Sequence, residues 1–150
     1  MRNILLSTFL FFTLVSRSQS PVDTFLPRGI GGGGALFFPT INPANDNEYY
    51  VSCDMSELFH TKDYGKSYTQ LPHTSLQVFN ISTYEFTNNP LIAYSNYNDG
   101  NSGYPVKTTD GGKTWNVLAG HNSNYDQAFR LIANYNNPQQ VLVGYFGDIY

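Results

Sequence analysis

Hydrophobic and polar positions alternate along most of this chain with the period of a β-strand. Glu48-Tyr49-Tyr50-Val51-Ser52, Leu91-Ile92-Ala93-Tyr94-Ser95 and Val141-Leu142-Val143-Gly144-Tyr145 are short runs rich in β-branched and aromatic residues, each following a turn. Leu58–Thr61 and Pro105–Thr108 read as strands of the same kind, and Ser67–Leu71 and Thr114–Leu118 continue the two-residue alternation. Asn98-Asp99-Gly100 and Asp110-Gly111-Gly112 supply hairpin chemistry, because Gly and Asn tolerate positive φ. Beyond residue 20 no stretch carries a 3.6-residue period, so the pattern predicts an all-β chain.

The strands recur in register. Thr61-Lys62-Asp63-Tyr64-Gly65-Lys66-Ser67-Tyr68 lies over Thr108-Thr109-Asp110-Gly111-Gly112-Lys113-Thr114-Trp115 as Thr-x-Asp-x-Gly-x-[Ser/Thr]-aromatic, 47 residues apart (110 − 63). Prolines in Asn-rich turns at Pro43, Pro90 and Pro138 repeat with offsets of 47 and 48 (90 − 43 and 138 − 90). About four strands per unit is the arithmetic of a β-propeller blade. Residues 21–150 then hold two blades and the opening of a third, whose box is expected near position 158. The fold expected is an N-terminal part, about two and a half blades, of a propeller of four-stranded blades. A stand-alone sandwich would instead leave the third unit's strand as an unpaired edge, an aggregation hazard.

The first twenty residues have another pattern. Met1-Arg2-Asn3 is basic, Ile4 to Val15 is mostly apolar, and Ser16-Arg17-Ser18-Gln19-Ser20 places small residues where a signal peptidase would cut, after Ser18 or Ser20. This is the tripartite secretory pattern, and the apolar run is shorter than the roughly 20 residues of a membrane span. A secreted or periplasmic protein, with no membrane insertion after cleavage, is expected.

Composition removes several classes. Charged residues are 13% of the chain and aromatics 16%, the reverse of a disordered chain. With eight Lys and Arg, net charge −3 and pI about 5.4, there is no basic patch to neutralise phosphates, and no nucleic-acid partner is expected. One cysteine, Cys53, precludes an internal disulfide framework and a Cys-based zinc site; it reads as a buried small hydrophobe. His60, His73 and His121 form no ligand spacing, so no metal or cofactor is expected. Gly29-Ile30-Gly31-Gly32-Gly33-Gly34 matches G-x-G-x-x-G, but no strand precedes it and Leu36-Phe37-Phe38-Pro39 follows where a helix should begin. Asn96-x-Asn98-x-Gly100 hints at a calcium loop that Lys107 fails to close. Asn80-Ile81-Ser82 is a glycosylation sequon, relevant in a eukaryotic source.

In each box the Asp carboxylate can accept backbone N–H groups across a tight hairpin. Gly65 and Gly112 would supply the unusual backbone angles, and Tyr68 and Trp115 would pack beneath the turn. Thr61, Asp63, Gly65, Ser67 and Tyr68, with Thr108, Asp110, Gly112, Thr114 and Trp115, are therefore expected to be structural. A motif that recurs in each unit is not an active site that occurs once.

These segments resemble the Asp-box, or BNR repeat, of sialidase-like and sortilin-type propellers. The run Gly31 to Pro39, then Asn42-Pro43, Tyr49 to Asp54 and the first box is similar to the N-terminus of xyloglucanase-type glycoside hydrolases. That resemblance implies seven-bladed propellers and inverting hydrolysis of a β-1,4-glucan backbone. It makes Asp54 the candidate general base, places Gly32, Gly33 and Tyr50 at the substrate, and makes a polysaccharide or glycan the partner. Met55-Ser56-Glu57 departs from the family's Ile/Val-Gly-Gly, and Cys53 from its Thr. Inversion needs two carboxyl groups about 6.5–9.5 Å apart, one protonated and one ionised. Glu57 would project from the opposite strand face to Asp54, so the acid is expected from residues beyond Tyr150. A non-catalytic sortilin-like or lectin-like propeller, binding protein or carbohydrate, is the alternative. Tyr49, Tyr50, Tyr94 and Tyr97 could stack on sugar rings, but strand spacing favours packing roles.

Overall fold

The computed structural model describes residues 26–30, 34–99, 101–120, 127–145 and 148–149. The signal-like segment, Gly32, Gly33, Gly100 and His121 lie outside them. The described chain is all-β. Strands β1 (Leu36–Asn42), β2 (Asn45–Cys53), β3 (Leu58–Thr61) and β4 (Thr69–Leu71) form a first antiparallel sheet in chain order. A second sheet follows the same plan with β5 (Tyr84–Phe86), β6 (Ala93–Asn98), β7 (Gly103–Thr108) and β8 (Asn116–Val117). The third contains β9 (Ala128–Ala133), β10 (Val141–Tyr145) and β11 (Asp148–Ile149). Among the described residues the sheets form an open stack rather than a closed ring.

Each turn proline sits between the first and second strands of its sheet, and the preceding Asn makes the turn. Asn42 Oδ1 accepts the Ala44 N–H at 2.9 Å, Asn89 Oδ1 the Leu91 N–H at 3.0 Å, and Asn137 Oδ1 the Gln139 N–H at 3.2 Å. Asparagine competes well here because its short amide satisfies a backbone donor two residues on. The strand that follows is not equally spaced. Thr61 pairs with Tyr49 and Thr108 with Ala93, which makes Tyr50 the equivalent of Tyr94.

The core lies between sheets. Tyr84, Ala93 and Val106 of the second sheet pack against Tyr50 and Leu58 of the first, with Leu76 and Val78 of the β4–β5 connection filling the space. Tyr94, on the opposite face, packs against Ala128, Leu131, Val143 and Tyr145 of the third. Ala93 and Tyr94 are consecutive, so the two-residue period of β6 sends them to different neighbours. Both faces of the middle sheet are therefore covered. Some of the polar atoms this buries are bonded: Ser95 Oγ donates to Thr83 O at 2.5 Å, Ser82 Oγ to Asn96 O at 2.8 Å, and Tyr94 Oη to Pro138 O at 2.6 Å, whereas Asn96 Oδ1 finds no hydrogen-bond partner among the described residues.

β1 departs from regular pairing. Its register with β2 slips between Phe37 and Thr40, and Phe38 has φ 44. Pro39 lies in this slip on an edge strand, where a missing N–H is tolerated. The exposed Phe38 ring carries the Arg130 guanidinium of β9 at 5.5 Å, a cation–π contact that joins the first and third sheets.

Candidate functional site

The two boxes occupy the β3–β4 and β7–β8 hairpins with one hydrogen-bond set. Thr61 Oγ1 donates to Asp63 Oδ1 at 2.8 Å and accepts the Gly65 N–H at 2.9 Å; Thr108 does the same with Asp110 and Gly112. Asp63 Oδ1 also accepts the N–H groups of Lys66 and Ser67, at 3.0 and 2.9 Å, and Oδ2 accepts the Ser67 hydroxyl at 2.6 Å. Asp110 repeats this with Lys113 and Thr114. The Ser67 and Thr114 hydroxyls, followed by their own N–H groups, hold the two carboxyls at about 2. Gly65 and Gly112 have φ 78 and 90. Trp115 Nε1 donates to Gly112 O at 3.2 Å, tucking the indole under its hairpin. Tyr68 Oη donates to Arg28 O and bonds Tyr49 Oη, which ties residues 26–30 to the outer face of the first sheet. Each box aspartate thus spends its carboxylate inside its own turn.

Asp54 is held differently. It opens the β2–β3 turn, where Cys53 N–H donates to Glu57 O at 2.9 Å and Ser56 has φ 77. Its backbone N–H donates to Ala35 O at 3.3 Å, and its Oδ1 accepts the Ala35 N–H at 3.0 Å. The Cys53 thiol donates to the same oxygen at 3.6 Å, and burial pushes that thiol's pKa up. Gly34, at φ 98, lies directly beneath: a Cβ there would stand 2.6 Å from Asp54 Oδ1. Among the described residues Asp54 Oδ2 receives no hydrogen bond. Among the described residues, then, the carboxylate is anchored through one oxygen while the other takes no hydrogen bond.

Tyr50 lies within the stack at 8% exposure. Its ring is parallel to His60 on one face (centroids 4.0 Å) and Tyr84 on the other (3.8 Å), so neither face is free. Tyr94 is buried and Tyr97 stacks on Tyr104. Among the described residues Glu57 Oε2 is buried without a hydrogen-bond partner, and no hydrogen bond joins Glu57 to the Asp54 carboxylate. Asn96 and Asn98 of the calcium-like sequence are buried, and Asn96 Nδ2 donates to Ala128 O at 3.2 Å. Among the described residues no three His, Cys, Asp or Glu side chains group to hold a metal, and no helix is long and apolar enough to cross a membrane.

No protein-family model matches this chain, nor does any curated protein or any solved structure. The chemistry of the residues therefore carries the functional reading.

Sequence reasoning overlooked one pair. Glu48 Oε1 lies 2.8 Å from His60 Nε2, and Glu48 Oε2 accepts Asn42 Nδ2 at 2.8 Å. Burial lowers the His60 pKa more than Glu48 raises it. The signal was available in the β2–β3 hairpin: His60 is opposite Tyr50, so Glu48 is its diagonal neighbour on the same face. A further acid, Glu85 of β5, is buried, which raises its pKa, and its Oε2 accepts the Ala133 N–H at a long 3.5 Å.

Proposed function

We propose that this chain is part of an exported glycoside hydrolase of the Asp-box propeller type, acting with inversion on a β-glucan or xyloglucan-type backbone. Asp54 is its general base. The observation that carries the reading is the contrast among three aspartates. Asp63 and Asp110 use both carboxylate oxygens in their own hairpins, whereas Asp54 is fixed by one and, among the described residues, keeps the other unbonded, beside a residue with no side chain. In this mechanism Asp54 Oδ2 takes a proton from a water as its oxygen attacks the anomeric carbon. A carboxylic acid on the opposite side of the scissile bond protonates the departing glycosidic oxygen.

The expected result is release of reducing ends from xyloglucan or β-glucan by the full-length protein, falling about 100-fold or more in Asp54→Asn with unchanged folding. Equal release by both proteins removes Asp54 from the mechanism. The β2–β3 turn itself favours a second reading. Met55 is 61% exposed and Ser56 adopts a left-handed φ, so side chains stand where the resembled enzymes keep glycines for close approach of a sugar. No release from any β-glucan or sialoside would leave a non-catalytic, lectin-like or sortilin-like propeller.

A further inference from the structure

A cleft of about 660 Å³ lies between the first two sheets. It is lined where β2 begins and β3 ends, whereas Asp54 is in the β2–β3 turn at the other end of these strands. Six residue steps along the chain separate Glu48 from Asp54, about 20 Å at the usual rise of a strand. The cleft is thus a separate feature.

Its floor is aromatic: Phe86 and Tyr135 are partly exposed in the lining, and Tyr84 is buried with one ring face covered by Tyr50. Its polar groups mix donors and acceptors. Glu48 is fixed through both oxygens by Asn42 and His60, yet each oxygen keeps a further lone pair. Burial favours the neutral imidazole of His60. A carboxylate only accepts, so Nε2 carries the His60 proton and Nδ1 is left as an acceptor. Asn88 donates its amide to Asn136 O, which leaves its carbonyl; Asn89 accepts from Leu91 N–H, which leaves its NH₂. At the mouth, Lys62 is exposed, and no carboxylate among the described residues pairs with it. One anion and one cation balance, so the lining has no net preference for a charged ligand.

An aromatic floor, a rigid carboxylate and alternating donors and acceptors complement a molecule with apolar ring faces whose hydroxyls each donate and accept. We propose that this inter-sheet cleft binds a neutral saccharide of mono- or disaccharide size, without taking part in hydrolysis. A phosphorylated ligand would lack cations beyond Lys62, and a purely apolar one would strip water from Glu48 and His60 without replacing it. Such a site would hold the protein on a glycan, apart from the Asp54 end of the sheet.

The reading does not depend on Asp54, and one experiment separates the two. Trp115, the only tryptophan of the chain, meets Tyr84 edge-on at 5.9 Å, so its emission reports on the cleft wall. The full-length protein is titrated with neutral disaccharides (cellobiose, xylobiose, lactose, chitobiose and maltose), following Trp115 emission and heat. Saturable binding to at least one is expected. Glu48→Gln should weaken it about tenfold, the cost of a charge-assisted hydrogen bond, and exposed Lys62→Ala should weaken it several-fold without risk to the fold. Asp54→Asn should bind as the parent does. Absence of saturable binding across the panel overturns the proposal. So does binding untouched by Lys62→Ala and Glu48→Gln, or tighter binding of glucuronate than of glucose.

Discussion

At the scale of single residues, hydrogen-bond saturation is what distinguishes the carboxylates. Asp63 and Asp110 sit at about 2 because hydroxyl and N–H donors favour their ionised forms. In the unfolded chain they return to about 3.8, so the unfolded state binds protons first as pH falls. Their stabilisation is complete above that value and disappears as pH drops toward 2. Melting temperatures of the parent should therefore fall over that window, while Asp110→Asn should melt lower at neutral pH and show a shallower acid limb. A parallel acid limb in parent and variant would contradict the assignment. The glycines offer a sharper comparison. Gly65 and Gly120 share a left-handed φ, 78 and 80. A Cβ on Gly65 would run into the Tyr49 and Tyr68 hydroxyls, whereas among the described residues nothing lies within 4 Å of one on Gly120. Gly120→Ala should cost about 1 kcal/mol, for backbone alone, and Gly65→Ala roughly 2–5 kcal/mol, with overpacking added; chemical denaturation of the two variants measures the difference.

At the scale of strands and turns, legibility followed burial. β3 and β10 fall where alternation predicts them, and the boxes mark both outer hairpins with the expected glycines and hydroxyls. The second predicted strand, Leu91–Ser95, begins two residues late, at Ala93, because the Asn89-Pro90 turn holds Leu91. β5 and β9 left no clear period. β5 is three residues long and includes a buried Glu85, and β9 carries exposed Phe129 and Ile132 beside buried Ala128 and Leu131. β1 is concealed by Pro39 and the slip at Phe38. The site was legible only in part. Asp54 could be named from sequence, but its bond to Ala35 and the seat over Gly34 arise from pairing between distant segments. The Glu48–His60 pair required the hairpin register. Position within the stack should also set mutational cost. Leu131→Ala, which empties a fully buried site, should cost about 2–5 kcal/mol, and Leu142→Ala, 54% exposed on the same sheet, less than about 0.5 kcal/mol in this chain.

At the scale of the molecule, apolar side chains sit on the two free faces of the stack. Ile41 of the first sheet is 53% exposed, and Ile132 and Leu142 of the third are 49% and 54%. Leu142 follows its turn proline by four residues, as Tyr94 does, and Tyr94 is covered by the next sheet where Leu142 is not. Uncovered apolar faces favour association, so residues 21–150 on their own should self-associate with rising concentration, and Leu142→Lys should shift sedimentation toward monomer; a parent that stays monomeric at all concentrations would contradict this. The Arg130–Phe38 contact bears on what such addition would build. Two sheets separated by a third touch only if the leaves converge toward one margin, like pages near a spine. If further leaves kept that convergence, each one laid against Leu142 would swing the next further around the margin instead of lengthening a straight fibre.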